Sequence, residues 1–353
     1  MGAITNRSSR RSRGSVTIED VARAAGVSAM TVSRVINKEP NVRDETRQNV
    51  LDTIERMNYS PNTAARSLAA GDATHIGLLY ANPSAAYLSQ FLVGALDGAR
   101  KAGSHLVIEA CESEDEAEQS EVARRLATAD IEGVILPPPL SESVAILSEL
   151  AAAKTPVVTV AMGKLYPNAL NVRIDDFAAA AEMTEYLIDL GHRRIAMIKG
   201  HPEHIASIER ERGFLAAVKD AGLKSKDVWI EQGYFTFRSG LEAAEKLLKR
   251  KRRPTAIFAS NDDMAAAAVS VAHRLGLDVP RDLTVVGFDD TSPATTVWPE
   301  LTTIRQPVSA MAEAAFDLLL AELRHRRRGS IMPQEIVLDH ELVIRESAGP
   351  PPD

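Results

Sequence analysis

Two rhythms of apolar residues divide the chain. Up to about residue 57, apolar side chains recur at helical spacing; from His75 onward, short unbroken apolar runs alternate with longer amphipathic stretches. The first rhythm predicts short helices packed on one another. The second predicts buried parallel strands joined by crossover helices.

Within the first rhythm, Thr17 is placed to cap a helix over 18–25, with Asp20 in the capping-box position three residues on. Gly26 permits the left-handed residue that ends it. Ser28 caps a second helix over 29–37, and Val21, Ala22, Ala25, Val32, Val35 and Ile36 pack the pair together. A third helix over 44–57 puts Val50, Ile54 and Met57 on one face, with Asn58 as its C-terminal cap and Tyr59 and Pro61 as its stop. This is the helix-turn-helix spacing, which many ordinary helical pairs share. The outer face of the second helix carries Ala29, Met30, Ser33, Arg34 and Asn37, groups suited to base edges in a major groove.

The second rhythm places strands at 75–81, 105–110, 133–138, 156–161, 171–175, 193–200, 228–233, 254–260 and 282–288. Helices near 86–102, 115–129 and 141–153 come between the first of them. A strand at 301–305, a helix from about 307 to 328 and the stretch 335–347 follow. The expected architecture is two successive doubly wound α/β units. In such sheets ligands lie outside the carboxyl ends of the strands. One strand runs into Asn261 and Asp262, another into Asp289 and Asp290, and two facing lobes would bring them to one crevice. Arg210 adds a cation, while Tyr87, Phe91 and Phe235 offer platforms for a ring's CH face. That mixture suits a hydroxyl-rich ligand. Each residue also has a plainer use, since aspartates at strand ends cap helices and aromatics fill cores.

Charge sharpens the division. The net charge of −7 over 353 residues speaks against a nucleic-acid partner until its distribution is read. Residues 1–70 hold 11 Lys and Arg against 7 Asp and Glu, a balance of +4, leaving −11 on the remainder. A basic unit on an acidic body fits DNA at one end only. Arg7, Arg10, Arg11 and Arg13 are expected to form a solvated tail over 1–15 with at most a weak phosphate role. That tail has no apolar core to make it a secretory signal, and no run of about 20 apolar residues exists to span a membrane. With Cys111 as the sole cysteine, no intrachain disulfide forms and a cytoplasmic, nucleoid-associated location is expected. Cys111 reads as a packing residue. Enzyme signatures such as a P-loop or a nucleophile elbow are missing. The histidines of HPEH (201–204) fall short of a metal site, so neither cofactor nor metal is expected.

The motifs themselves point to a family. TIEDVARAAGVSAMTVSRVIN (17–37) and YSPNTAARSL (59–68) resemble the DNA-binding headpiece of the lactose-repressor family. LGHRRIA (190–196), RERGF (210–214), the run 259–291 and PELTTIRQP (299–307) are similar to the family's effector-binding core, itself akin to periplasmic sugar-binding proteins. The resemblance implies a headpiece over 16–60, a hinge helix and linker over 61–72, a two-lobed core over 73–347 and a disordered tail over 348–353. It implies DNA contacts from Thr17, Ser28, Ala29, Met30, Thr31, Ser33, Arg34, Asn37, Asn41, Thr46, Tyr59, Asn62, Ala65 and Leu68, with Leu68 as a minor-groove wedge. It implies effector contacts from Tyr87, Phe91, Arg210, Phe235, Asn261 and Asp289. The implied partners are operator DNA, a second copy of the chain and a small effector, read here as a sugar. Two alternatives stand beside it. AAYL (85–88) matches the family's purine-responsive branch, against which His204 stands where that branch has an arginine. A transport-type binding protein would need a signal peptide and no headpiece.

Overall fold

In a computed structural model of the chain, residues 17–36, 42–57, 74–163, 169–326 and 335–352 are described. They fall into two compact units, divided between Ala70 and Gly71. The expected tail 1–15, the hinge 61–72, and the expected DNA contacts Asn37, Asn41, Tyr59, Asn62, Ala65 and Leu68 lie outside the described residues.

The described residues of the first unit form three helices: α1 (Ile18–Ala25), α2 (Ala29–Ile36) and α3 (Asp44–Arg56). The capping box forms as the sequence predicts. Asp20 N–H donates to Thr17 Oγ1 at 3.3 Å and Thr17 N–H donates to Asp20 Oδ2 at 3.0 Å. Gly26 takes φ +68° and ends α1. Val21, Ala22, Ala25, Val32, Val35 and Val50 form a buried core, which Ile54 and Met57 flank. Asn49 Nδ2 donates to the Ala25 carbonyl at 3.0 Å and ties α3 to the end of α1, a link no periodicity reveals.

The second unit contains two six-stranded sheets. In sheet A, β1 (His75–Tyr80), β2 (His105–Ala110), β3 (Gly133–Leu136), β4 (Val157–Val160), β5 (Leu170–Arg173) and β11 (Glu335–Val337) lie in the order β11-β5-β4-β3-β1-β2. In sheet B, β6 (Ile195–Lys199), β7 (Val228–Gln232), β8 (Ala256–Ala259), β9 (Thr284–Asp289), β10 (Thr302–Arg305) and β12 (Glu341–Val343) lie in the order β12-β10-β9-β8-β6-β7. The pairing is parallel except for β10 with β12.

Three expectations need correction. The lobes are not successive along the chain. Helix 308–326 packs on helix 85–102 and on β3, β4 and β5, so it belongs with sheet A. The chain therefore crosses between lobes after β5, after β10 and again between β11 and β12. The physical reason is coverage: without helix 308–326, the apolar face over β3–β5 would stay open, and Leu319 and Phe316 fill it. The stretch 335–347 is accordingly two short strands in different sheets. Strand β2 is not a buried strand; it lies at the edge of sheet A, with Val107 38% and Ile108 41% exposed. Finally, 348–352 is not a loose tail. The Gly349 carbonyl accepts from Thr284 Oγ1 and from His192 Nε2, each at 2.9 Å.

Candidate functional site

The carboxyl ends of the strands meet at a cleft between the two lobes, with about 530 Å³ of space when its solvent-open mouth is counted. Tyr87, Arg210, Phe235, Asn261 and Asp289 line it. Phe91 does not: it is fully buried within the core one turn along helix 85–102 from Tyr87. Sequence spacing could not tell the two aromatics apart, since both sit on the same inward face. Lining residues missed in the sequence include Gln306, Glu142, Ser84 and Asn82. Gln306 was within reach of the strand-end rule, as it follows β10; Glu142 lies in a one-turn segment without a signal.

Arg210 is the electrostatic centre. It is 5% exposed, and its guanidinium donates to Asp176 Oδ1 at 2.8 Å and to the Ser260 carbonyl at 2.5 Å. Asp289 Oδ1 lies 3.7 Å away, and the guanidinium stacks 3.6 Å from the centroid of Phe288. Buried charge demands this much compensation. Asp289 in turn accepts from Gln306 Nε2 at 2.6 Å. Burial pushes the Asp289 carboxyl up to about 7, even with Arg210 and Gln306 pulling it down. Burial likewise raises Asp176 despite its arginine. Asp289, in the lining, and Asp290 next to it adopt φ of +109° and +56°, an uncommon pair of positive-φ aspartates.

Phe235 also takes a left-handed φ, of +59°, and its ring lies so close over Gly200 that a side chain there would collide with it. His204 stacks on it with ring planes 12° apart. Burial depresses the His204 pKa to about 4, so the ring is neutral at neutral pH. Two buried polar atoms in the lining, Tyr87 Oη and Gln306 Oε1, have no hydrogen-bond partner among the described residues. Such atoms are rare unless something else satisfies them.

The lobes touch across the cleft. Ser84 Oγ donates to Asp263 Oδ2 at 2.6 Å, and Gln90 Nε2 donates to the Asp290 carbonyl at 3.2 Å. Both oxygens of Glu142 lie 3.1 Å from the Ile205 N–H. Burial pushes the Glu142 carboxyl up to about 7, against the pull of that N–H.

On the first unit, Met30 is 65% exposed at the start of α2, with Arg34 exposed one turn on. Ser33, Thr31 and Thr46 are half-buried, and Ala29 leans on the helical core. Ser28 and Thr17 are exposed, and their hydroxyls accept from Thr31 N–H and Asp20 N–H as caps.

A helix-turn-helix unit attached to a two-lobed core with a polar interlobe cleft defines a DNA-binding transcriptional regulator. Sequence comparison places the chain within that class. Residues 17–62 match the family of bacterial regulatory proteins of the lacI type, and residues 184–348 match the periplasmic binding protein-like domain. The HTH-type transcriptional repressor PurR of Erwinia tasmaniensis is 35% identical over 339 residues, covering 95% of this chain and 98% of that protein. The structure of the transcriptional regulator CelR in complex with cellobiose has a TM-score of 0.71 at 30% identity, covering 94% of this chain and all of that one. A lac repressor dimer bound to operator and an anti-inducer gives 0.70 at 26% identity, over 95% and 99% of the two chains. The chain belongs to the lacI family of transcriptional regulators, which are not enzymes. Among the described residues, no helix is long and apolar enough to cross a membrane.

Proposed function

We propose that the chain is an effector-responsive repressor that binds a pseudopalindromic operator as a homodimer and senses a sugar in its interlobe cleft. The cleft carries this reading. A buried arginine–aspartate pair, the half-buried Phe235 ring and two polar atoms without a partner among the described residues converge there, and a polyol ring would satisfy donors, acceptors and CH face together. The cellobiose complex of a similar regulator supports the sugar class. Dimerisation draws support from the operator-bound dimer above and from Val93, Leu96, Val107 and Ile108, large apolar side chains left exposed on the first lobe. Two headpieces on a two-fold axis read paired half-sites. Effector and operator binding are then reciprocally linked.

One observation favours a second ligand class. Tyr87 and Phe235 both line the cleft, so two rings are available to a flat nucleobase, and PurR is a close-length relative.

A thermal-shift screen of sugars and nucleobases separates the two, because a ligand that binds only the folded form raises its melting point. A sugar that raises the midpoint and changes operator retardation supports the reading. Stabilisation by nucleobases alone transfers the cleft to the second class. If Asp289→Ala leaves the response of a hit intact, the cleft is not the sensor.

A further inference from the structure

The helix Ile205–Asp220 begins at the cleft, and its cap comes from the opposite lobe. His204 holds the N-cap position but makes no side-chain cap bond. The two Glu142 oxygens take its place, each 3.1 Å from the Ile205 N–H. Glu142 closes the one-turn segment Leu140–Glu142, between β3 and β4 of sheet A. The approach is tight: a side chain at Gly163, also of the first lobe, would overlap Ile205.

An uncovered helix start is a ready anion seat, since its N–H groups lack partners and the helix dipole adds roughly half a positive charge. A ligand phosphate or carboxylate entering this cleft would seek those same N–H groups. Glu142 already takes the first of them, that of Ile205. The remaining cation of the described lining is Arg210, held by Asp176, Ser260 and Asp289. The neutral His204 ring offers no positive charge, and Asp289 adds a second carboxyl group to the wall.

We propose that the Glu142 carboxyl group is a built-in occupant of that helix start and thereby sets ligand class: the cleft admits uncharged, donor-rich molecules and turns away phosphorylated or carboxylated ones. The inference rests on the cleft being the effector site.

The test removes that occupant and offers inorganic phosphate. Wild type, Glu142→Ala and Glu142→Gln are melted at pH 8 against rising phosphate, with chloride at matched ionic strength as reference. Glu142→Ala is expected to gain a saturable rise of about 2–4 °C. Wild type should show none beyond chloride, and Glu142→Gln, which still fills the seat, should gain less than the alanine variant. Equal stabilisation of wild type and Glu142→Ala overturns the proposal, because anions then enter past the glutamate. No gain in Glu142→Ala, with its circular dichroism unchanged, also overturns it. The sensing role fails separately: if phosphate stabilises Glu142→Ala while no sugar or nucleobase stabilises wild type, the anion seat stands and the effector reading falls.

Discussion

Asn261 Nδ2 donates to the Phe235 carbonyl at 2.9 Å while its Oδ1 accepts from the Met264 N–H at 3.0 Å. One amide therefore caps the helix Asp262–Arg274 and pins Phe235 in its left-handed conformation. The resemblance assigned Asn261 to the ligand. The geometry gives it a prior task, which is to hold the ring a ligand would stack on.

Asn261→Ala removes both bonds at a site that is 1% exposed. The expected loss is about 1–3 kcal/mol of stability, from the cap and from the orphaned partners. Asn261→Asp keeps the cap acceptor but cannot donate to Phe235. It should retain more stability than the alanine variant yet lose ligand affinity as badly. Urea unfolding and titration with a screened ligand read the two effects.

Arg210→Met leaves Asp176 and Asp289 buried without their guanidinium. Removing one member of a buried ion pair is expected to cost about 3–5 kcal/mol. Asp176→Asn in the same background should recover part of the loss, since it deletes an uncompensated carboxylate. A double-mutant cycle by urea unfolding checks this; strict additivity would mean the pair is not coupled.

Glu142 makes stability depend on pH. Its carboxyl sits at about 7 in the fold against a usual value of 4.5. A raised pKa means the fold favours the protonated form, so the contribution is complete below about pH 4.5 and declines as pH rises to about 7. Glu142→Gln removes that slope. The variant should gain on wild type by on the order of 1–3 kcal/mol between pH 4.5 and 7.5, then run parallel. His204, with its pKa near 4, tilts both proteins the opposite way below pH 6.5 and cancels in the difference.

Gly94 and Gly26 are expected to respond differently to alanine. A Cβ on Gly94 would lie 2.2 Å from the Ser309 carbonyl oxygen, where helix 85–102 meets helix 308–326. Backbone cannot give way cheaply, so Gly94→Ala should cost well over about 3 kcal/mol. Gly26 has open space around its Cβ position, and only its φ of +68° resists substitution. Gly26→Ala should cost about 1–2 kcal/mol. Thermal melts rank the pair.

On the DNA side, Arg34→Ala is expected to weaken operator retardation by about 10- to 100-fold, the value of one good base or phosphate contact. Met30 exposes an apolar side chain, and Met30→Ala should change half-site preference while sparing non-specific binding. Wild-type binding should fall steeply with salt as phosphate contacts release counterions. Gel retardation over operator variants and a salt series measures all three.

The headpiece was legible in the chain because its determinants are local. A capping box, a left-handed glycine and an apolar stripe act within a few residues, and the order of letters records them. The strands of the core were legible for the same reason: burial on both faces leaves an unbroken apolar run. Asp289 was legible as a cleft residue because the ends of parallel strands converge, whereas Arg210, within the helix Ile205–Asp220, was picked out by its motif and the family resemblance. Tertiary structure alone decided the rest. It sent helix 308–326 back to the first lobe, placed Phe91 in the core and Tyr87 at the cleft, and brought Glu142 to Ile205 across 63 residues of chain. Such contacts are fixed by which open apolar faces must be covered and which buried polar groups must be paired. Those demands exist only once the lobes have formed.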